Sequence, residues 1–106
     1  MISEKALGTK AFQEKDYAKA VEHFSNALKE TPDDHTLYSN RSACFYNSNQ
    51  FDHALEDADK CIQVKPDWGK GYQRKAMALH AMGRYDEAIP EYEKGIQYDP
   101  TNAQIQ

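Results

Sequence analysis

Proline stands at Pro32, Pro66 and Pro100, a constant step of 34 residues. Other columns keep the same step. Small residues recur at Ala20, Ala54 and Ala88, and aromatics at Tyr17, Phe51 and Tyr85. Branched apolar residues recur at Val21, Leu55 and Ile89, and again at Leu28, Ile62 and Ile96. Unrelated columns do not stay in phase over three units by chance, so the chain must fold as an array of repeated pieces. The units are 1–34, 35–68 and 69–102. One such unit cannot bury both its faces, so stability has to come from stacking.

Each unit reads as two helices. The pattern predicts helices over Ile2–Glu14 and Ala18–Glu30, over Thr36–Ser48 and Asp52–Val64, and over Lys70–Met82 and Glu87–Tyr98. Polar turns at 14–16, 48–50 and 82–84 close the pairs, and Gly83 suits a positive-φ turn. Between units, proline stops one helix and Asp or Thr can cap the next. The repeated alanines let two antiparallel helices approach, and the aromatic three residues earlier fills the hairpin end. Pro90 is expected in the first turn or so of its helix, with at most a slight kink.

Composition narrows the function. A net charge of −4 argues against nonspecific binding to nucleic acid or anionic lipid. No apolar run approaches the 18 or so residues of a membrane span, and no signal-peptide pattern occurs, so a cytoplasmic protein is expected. Cys44 and Cys61 have no metal-site spacing and fall at small, buried helix positions, which predicts structural thiols. His23, His35, His53 and His80 form no relay with a nucleophile, and His23 and His53 are expected at the surface. No phosphate loop, HExxH or EF-hand spacing occurs. The expectation is a binding module, with no catalytic residues, metal or cofactor.

Lys70 and Arg74 lie four residues apart at a helix start. Like charges at that spacing cost roughly 0.2–0.5 kcal/mol, and cations there oppose the helix dipole. The pair is either a solvated basic turn or a site for an anion.

The 34-residue helix–turn–helix unit with Leu7-Gly8, Ala20, Phe24, Ala27 and Pro32 resembles the tetratricopeptide repeat (TPR) pattern. Arg41 and Lys75 replace the usual leucine, and Ser42 and Ala76 the glycine. The resemblance implies an all-α, right-handed superhelix of three helix–turn–helix repeats, six helices, forming a single domain over 1–106. Residues 103–106 would begin a capping helix that is otherwise missing. The chain then reads as a fragment of a longer protein, with apolar surface expected around Tyr92, Ile96 and Tyr98 and self-association through the uncapped hairpin as one consequence.

Stacked hairpins curve, and first helices line the inner face. The repeat frame projects inward Lys5, Thr9, Phe12 and Gln13, then Asn40, Ala43 and Asn47, then Lys70, Gln73, Arg74 and Met77. Acidic residues Glu22, Glu56, Asp57, Asp59, Glu91 and Glu93 are expected on second helices, facing away. A basic groove on an acidic protein suits an extended acidic peptide.

The blocks 38–43 and 65–76 are similar to the first TPR domain of the Hsp70–Hsp90 organising co-chaperones. In that family the groove holds a chaperone C-terminus ending Glu-Glu-Val-Asp in a five-residue carboxylate clamp. The resemblance implies clamp roles for Lys5, Asn40, Lys70 and Arg74, with Thr9 where asparagine is usual. Threonine offers one hydroxyl where asparagine offers two N–H donors, so weaker binding is expected. Phe12, Ala43, Tyr46 and Met77 would form shallow upstream pockets. The implied partner is the tail of a 70-kDa heat-shock chaperone, with the 90-kDa class as a second ligand. The rival reading is a TPR scaffold that holds an internal peptide or a folded partner, or self-associates, without recognising a C-terminal carboxylate.

Overall fold

The computed structural model describes residues 2–100. These hold six helices: α1 (Glu4–Gln13), α2 (Tyr17–Glu30), α3 (His35–Asn47), α4 (Phe51–Val64), α5 (Gly69–Ala81) and α6 (Tyr85–Tyr98). Consecutive helices pair into hairpins α1–α2, α3–α4 and α5–α6, which stack through α2–α3 and α4–α5. α3 also touches α5, so first helices lie side by side.

The hairpin turns are three copies of one device. Lys15, Asn49 and Gly83 all have positive φ, at 63°, 62° and 77°. The next residue in each turn donates its N–H five residues back: Asp16 to Ala11, Gln50 to Phe45 and Arg84 to Leu79, at 2.8–2.9 Å. These are left-handed helix caps, which satisfy carbonyls that would otherwise be orphaned. The glycine at 83 was legible from sequence; the lysine and asparagine doing the same job were not. Replacing Gly83 by alanine is expected to cost about 1 kcal/mol through backbone strain alone. No atom lies within 4 Å of the added Cβ, so sterics contribute nothing. Chemical denaturation checks this, and Lys15→Gly should move the midpoint the other way.

Beside each turn an aromatic pair closes the hairpin. Phe12 meets Tyr17, Tyr46 meets Phe51 and His80 meets Tyr85, edge to face, with ring centroids 5.5, 5.5 and 5.2 Å apart. Ala20, Ala54 and Ala88 are buried at the helix–helix contacts, as expected. Between units, Tyr38 and Tyr72 hydroxyls donate to the Pro32 and Pro66 carbonyls at 2.7 and 2.6 Å. Gly8 lets the Phe24 ring against α1: a Cβ there would lie 2.6 Å from Phe24 Cε1.

Several expectations need correction. The second helices begin one or two residues early because the aromatic of each unit is itself the first helical residue. α1 begins later, at Glu4, where the Ser3 hydroxyl caps Ala6 N–H. α6 therefore starts at Tyr85, and Pro90 falls in its second turn, on the exposed side. Asp57 and Glu91 do not face away: both are buried. Asp57 takes a two-bond fork from Arg41, at 2.7 and 2.8 Å, while Arg41 also donates to Ser25 at 3.0 Å. One repeat later Lys75 meets Asp59 at 2.9 Å and Glu91 at 3.9 Å. The residues that replace the usual leucine are thus half-buried cations, each shared between second helices of adjacent units. His23 is also not a surface residue; half-buried, it binds Glu4 at 2.6 Å. His53 is exposed, resting on Phe45.

Cys44 and Cys61 are free and fully buried, and burial pushes their thiols up to about 12 and about 11. They stay protonated and unreactive at neutral pH. At the last hairpin Tyr98, Tyr85 and Ile89 are exposed, while Tyr92 and Ile96 are half-buried. Tyr98 also stacks on Tyr72 at 5.5 Å. The capping-helix stretch 103–106 lies outside the described residues. Among the described residues no helix is long and apolar enough to cross a membrane.

Candidate functional site: a basic end to the groove

α1, α3 and α5 present matching positions to one another. Lys5 on α1 reaches Thr36 on α3, and Arg74 on α5 reaches Ser39 on α3. The second residue of each helix is Lys5, Thr36 or Lys70, so three helix starts gather at one end. Their unpaired N–H groups add positive potential to that of the side chains.

One turn inward lies a pocket of ≈ 150 Å³ lined by Thr9, Phe12, Phe24, Asn40, Ala43 and Arg74. Five of these were expected in the groove from the repeat frame. Phe24, from α2, was not; its signal was the neighbouring Gly8, which opens a path for the ring. Lys5 and Lys70 are not in the lining. They stand one turn before Thr9 and Arg74 and form a rim. Tyr46, Asn47, Gln73 and Met77 also lie outside it. Asn47 donates to the Ala43 carbonyl at 2.8 Å, within its own helix. Gln13 is exposed beyond the pocket.

Arg74 is the unusual group. Its Nε donates to Ser39 Oγ at 3.2 Å, and neither Nη donates to any described residue. Arg41, Lys75 and Arg84 each have a carboxylate partner. Arg74 has none among the described residues, although it is half-buried beside the Cys44 and Cys61 thiols. Burial holds its guanidinium below the usual arginine range. Asn40 is likewise half-buried, with its amide bonded to no described residue. The free donors of Arg74 and Asn40 converge on one pocket.

The rim differs at its two sides. Lys70 is exposed and pairs with no described residue. Lys5 donates to Thr36 Oγ1 at 2.7 Å and lies 3.6 Å from Asp34 Oδ2. Thr9 donates its hydroxyl to the Lys5 carbonyl at 3.1 Å. Its single proton is spent inside α1, so toward the pocket it offers lone pairs and a methyl group.

Three stacked helical hairpins with a donor-lined, one-ended groove define a helical-repeat binding domain. Residues 69–102 match the tetratricopeptide repeat family. Among solved structures, the Sgt2 TPR domain from Aspergillus fumigatus is 34% identical, with a TM-score of 0.89, covering 92% of this chain and 64% of that one. The TPR2B-domain:pHsp70 complex of yeast Sti1 is 29% identical, with a TM-score of 0.88, over 91% of this chain and 77% of that one. The chain therefore folds as the TPR superhelix. In sequence it is similar to the Hsp70-Hsp90 organising protein of Plasmodium falciparum, 52% identical over 58 residues, 55% of this chain and 23% of that protein. It is also similar to heat shock protein STI1 of Saccharomyces cerevisiae, 50% identical over 60 residues, 55% of this chain and 10% of that protein. The chain thus spans under a quarter of the length of these relatives.

Proposed function

We propose that this domain is a co-chaperone adaptor module that binds the acidic C-terminal tail of a heat-shock chaperone. The observation that carries the reading is Arg74: a half-buried guanidinium with two free donor nitrogens, no carboxylate partner among the described residues, and a pocket in front of it. A desolvated cation without a counter-ion is costly, and an anionic ligand removes that cost. The relatives with this fold include a Sti1 domain complexed with pHsp70 and another Sti1 structure complexed with pHSP90.

The tail's terminal α-carboxylate and aspartate side chain bring two negative charges to one end. Lys70 and Lys5 on the rim and Asn40 inside hold them. Arg74 takes a carboxylate or backbone carbonyl one step further in. Thr9 lines the floor and supplies no proton, so one donor of the usual clamp is missing. Phe12 and Ala43 form the apolar wall, with Tyr46, Asn47, Gln73 and Met77 along the path of upstream residues. The 70-kDa class is the preferred source of the tail, by likeness to the first TPR domain of the organising co-chaperones.

Calorimetric titration with peptides ending Glu-Glu-Val-Asp tests this. The free acid should bind, and its C-terminal amide should bind at least tenfold more weakly, because one charge-assisted contact is worth roughly 1.5–3 kcal/mol. Binding should weaken with salt. Equal affinity for acid and amide would remove carboxylate recognition and leave a scaffold for internal segments. Peptides from the two chaperone classes, compared side by side, test the 70-kDa preference.

A further inference from the structure

Lys5 is already occupied. Its ammonium donates to Thr36 Oγ1 at 2.7 Å and lies 3.6 Å from Asp34 Oδ2. Thr36 in turn donates its hydroxyl to Asp34 Oδ1, while the Thr36 N–H reaches the same oxygen at 3.0 Å. Asp34 is the N-cap of α3, so this carboxylate is fixed at the mouth of the groove. Burial pushes its carboxyl up, but the Thr36 bonds and the Lys5 charge outweigh this and hold it below the usual range. It is therefore ionised at neutral pH. On the far rim Lys70 has no such partner among the described residues.

We infer that Asp34 is an affinity-limiting residue of the groove: an internal carboxylate seated on Lys5, which an incoming tail carboxylate must share or displace. The inference rests on the tail-binding reading above. A ligand carboxylate on Lys5 lies on the other side of one ammonium from Asp34, within about 7 Å. Between two like charges at that separation, repulsion changes affinity by about threefold at the dielectric of water and by more at that of a protein surface. Because Lys5 is exposed, screening keeps the effect near the low end, about threefold to tenfold. The opposing effect is pre-organisation, since Asp34 also steadies Thr36 and so Lys5. Asparagine separates the two. It caps helix starts as well as aspartate does and can accept the same bonds from Thr36, but it carries no charge.

The test titrates a free-acid peptide ending Glu-Glu-Val-Asp into the wild type, Asp34→Asn, Lys5→Ala, the double variant and Arg74→Met, at low and high salt. Asp34→Asn should tighten binding about threefold to tenfold at low salt, with a smaller gain at high salt. Lys5→Ala should weaken binding less in the wild type than in the Asp34→Asn background, a coupling that a double-mutant cycle reads directly. Asp34→Ser, which also caps, should reproduce the gain and guards against an artefact of one substitution. If Arg74→Met loses the peptide while Asp34→Asn gains nothing, or if Lys5→Ala costs the same in both backgrounds, the role of Asp34 is overturned and tail binding stands. If neither the wild type nor Asp34→Asn binds the peptide, both fall.

Discussion

Exchange of Arg74 for methionine is expected to lose at least about thirtyfold in affinity for a free-acid tail while leaving the domain as stable as before or more so. The two signs have one cause. Arg74 has two Nη donors facing the pocket and no carboxylate partner among the described residues. With ligand bound, those donors make charge-assisted bonds worth roughly 1.5–3 kcal/mol each, and every 1.4 kcal/mol is about tenfold in affinity. Without ligand, the same charge is partly stripped of water beside two protonated thiols, an environment that burial makes unfavourable for a cation. Methionine keeps the stem and places a soft sulfur next to Cys44 and Cys61. Titration and thermal melting on the same sample measure both signs. A large drop in melting temperature would make Arg74 a structural residue, and unchanged affinity would end its role as anchor.

Arg41→Leu should move in the opposite direction from intuition based on hydrophobicity. Leucine is the residue the family uses at this position and the first repeat has there, at Leu7. Yet the single change is expected to destabilise the fold by about 3 kcal/mol, because it strands the buried Asp57 carboxylate. It also leaves Ser25 without its partner. Arg41→Leu combined with Asp57→Leu should recover most of the loss, since an apolar pair can replace a buried ion pair at little cost. Urea unfolding of the two variants gives the comparison. A single variant within 1 kcal/mol of the wild type, or a double variant no better than the single one, would show that the fork contributes little.

The periodicity made the helices, hairpins and stacking order legible, because packing columns repeat whatever the surface does. What escaped was whatever the repeat leaves to chemistry. Lys15 and Asn49 carry no glycine signal, yet the turn forces them to positive φ. Asp57 and Glu91 read as surface acids until Arg41 and Lys75 are seen as their partners, because pairing across helices has no mark in a linear pattern. The same limit holds at the groove. The frame placed Thr9, Asn40 and Arg74 on one face, and they do meet at one pocket. It could not show that Thr9 spends its proton on its own helix, or that Lys5 is engaged by Asp34 and Thr36. Both depend on side-chain rotamers rather than on register.

The cations at 41 and 75 bear on cooperativity. Each ties its first helix to the second helix of the preceding hairpin as well as to the second helix of its own. In a linear array the energy at such junctions, compared with that inside each piece, decides whether melting proceeds stepwise from an end or all at once. Here charge bridges both junctions, which favours a single all-or-none transition. A groove whose walls come from three separate pieces then keeps its shape until the whole array gives way.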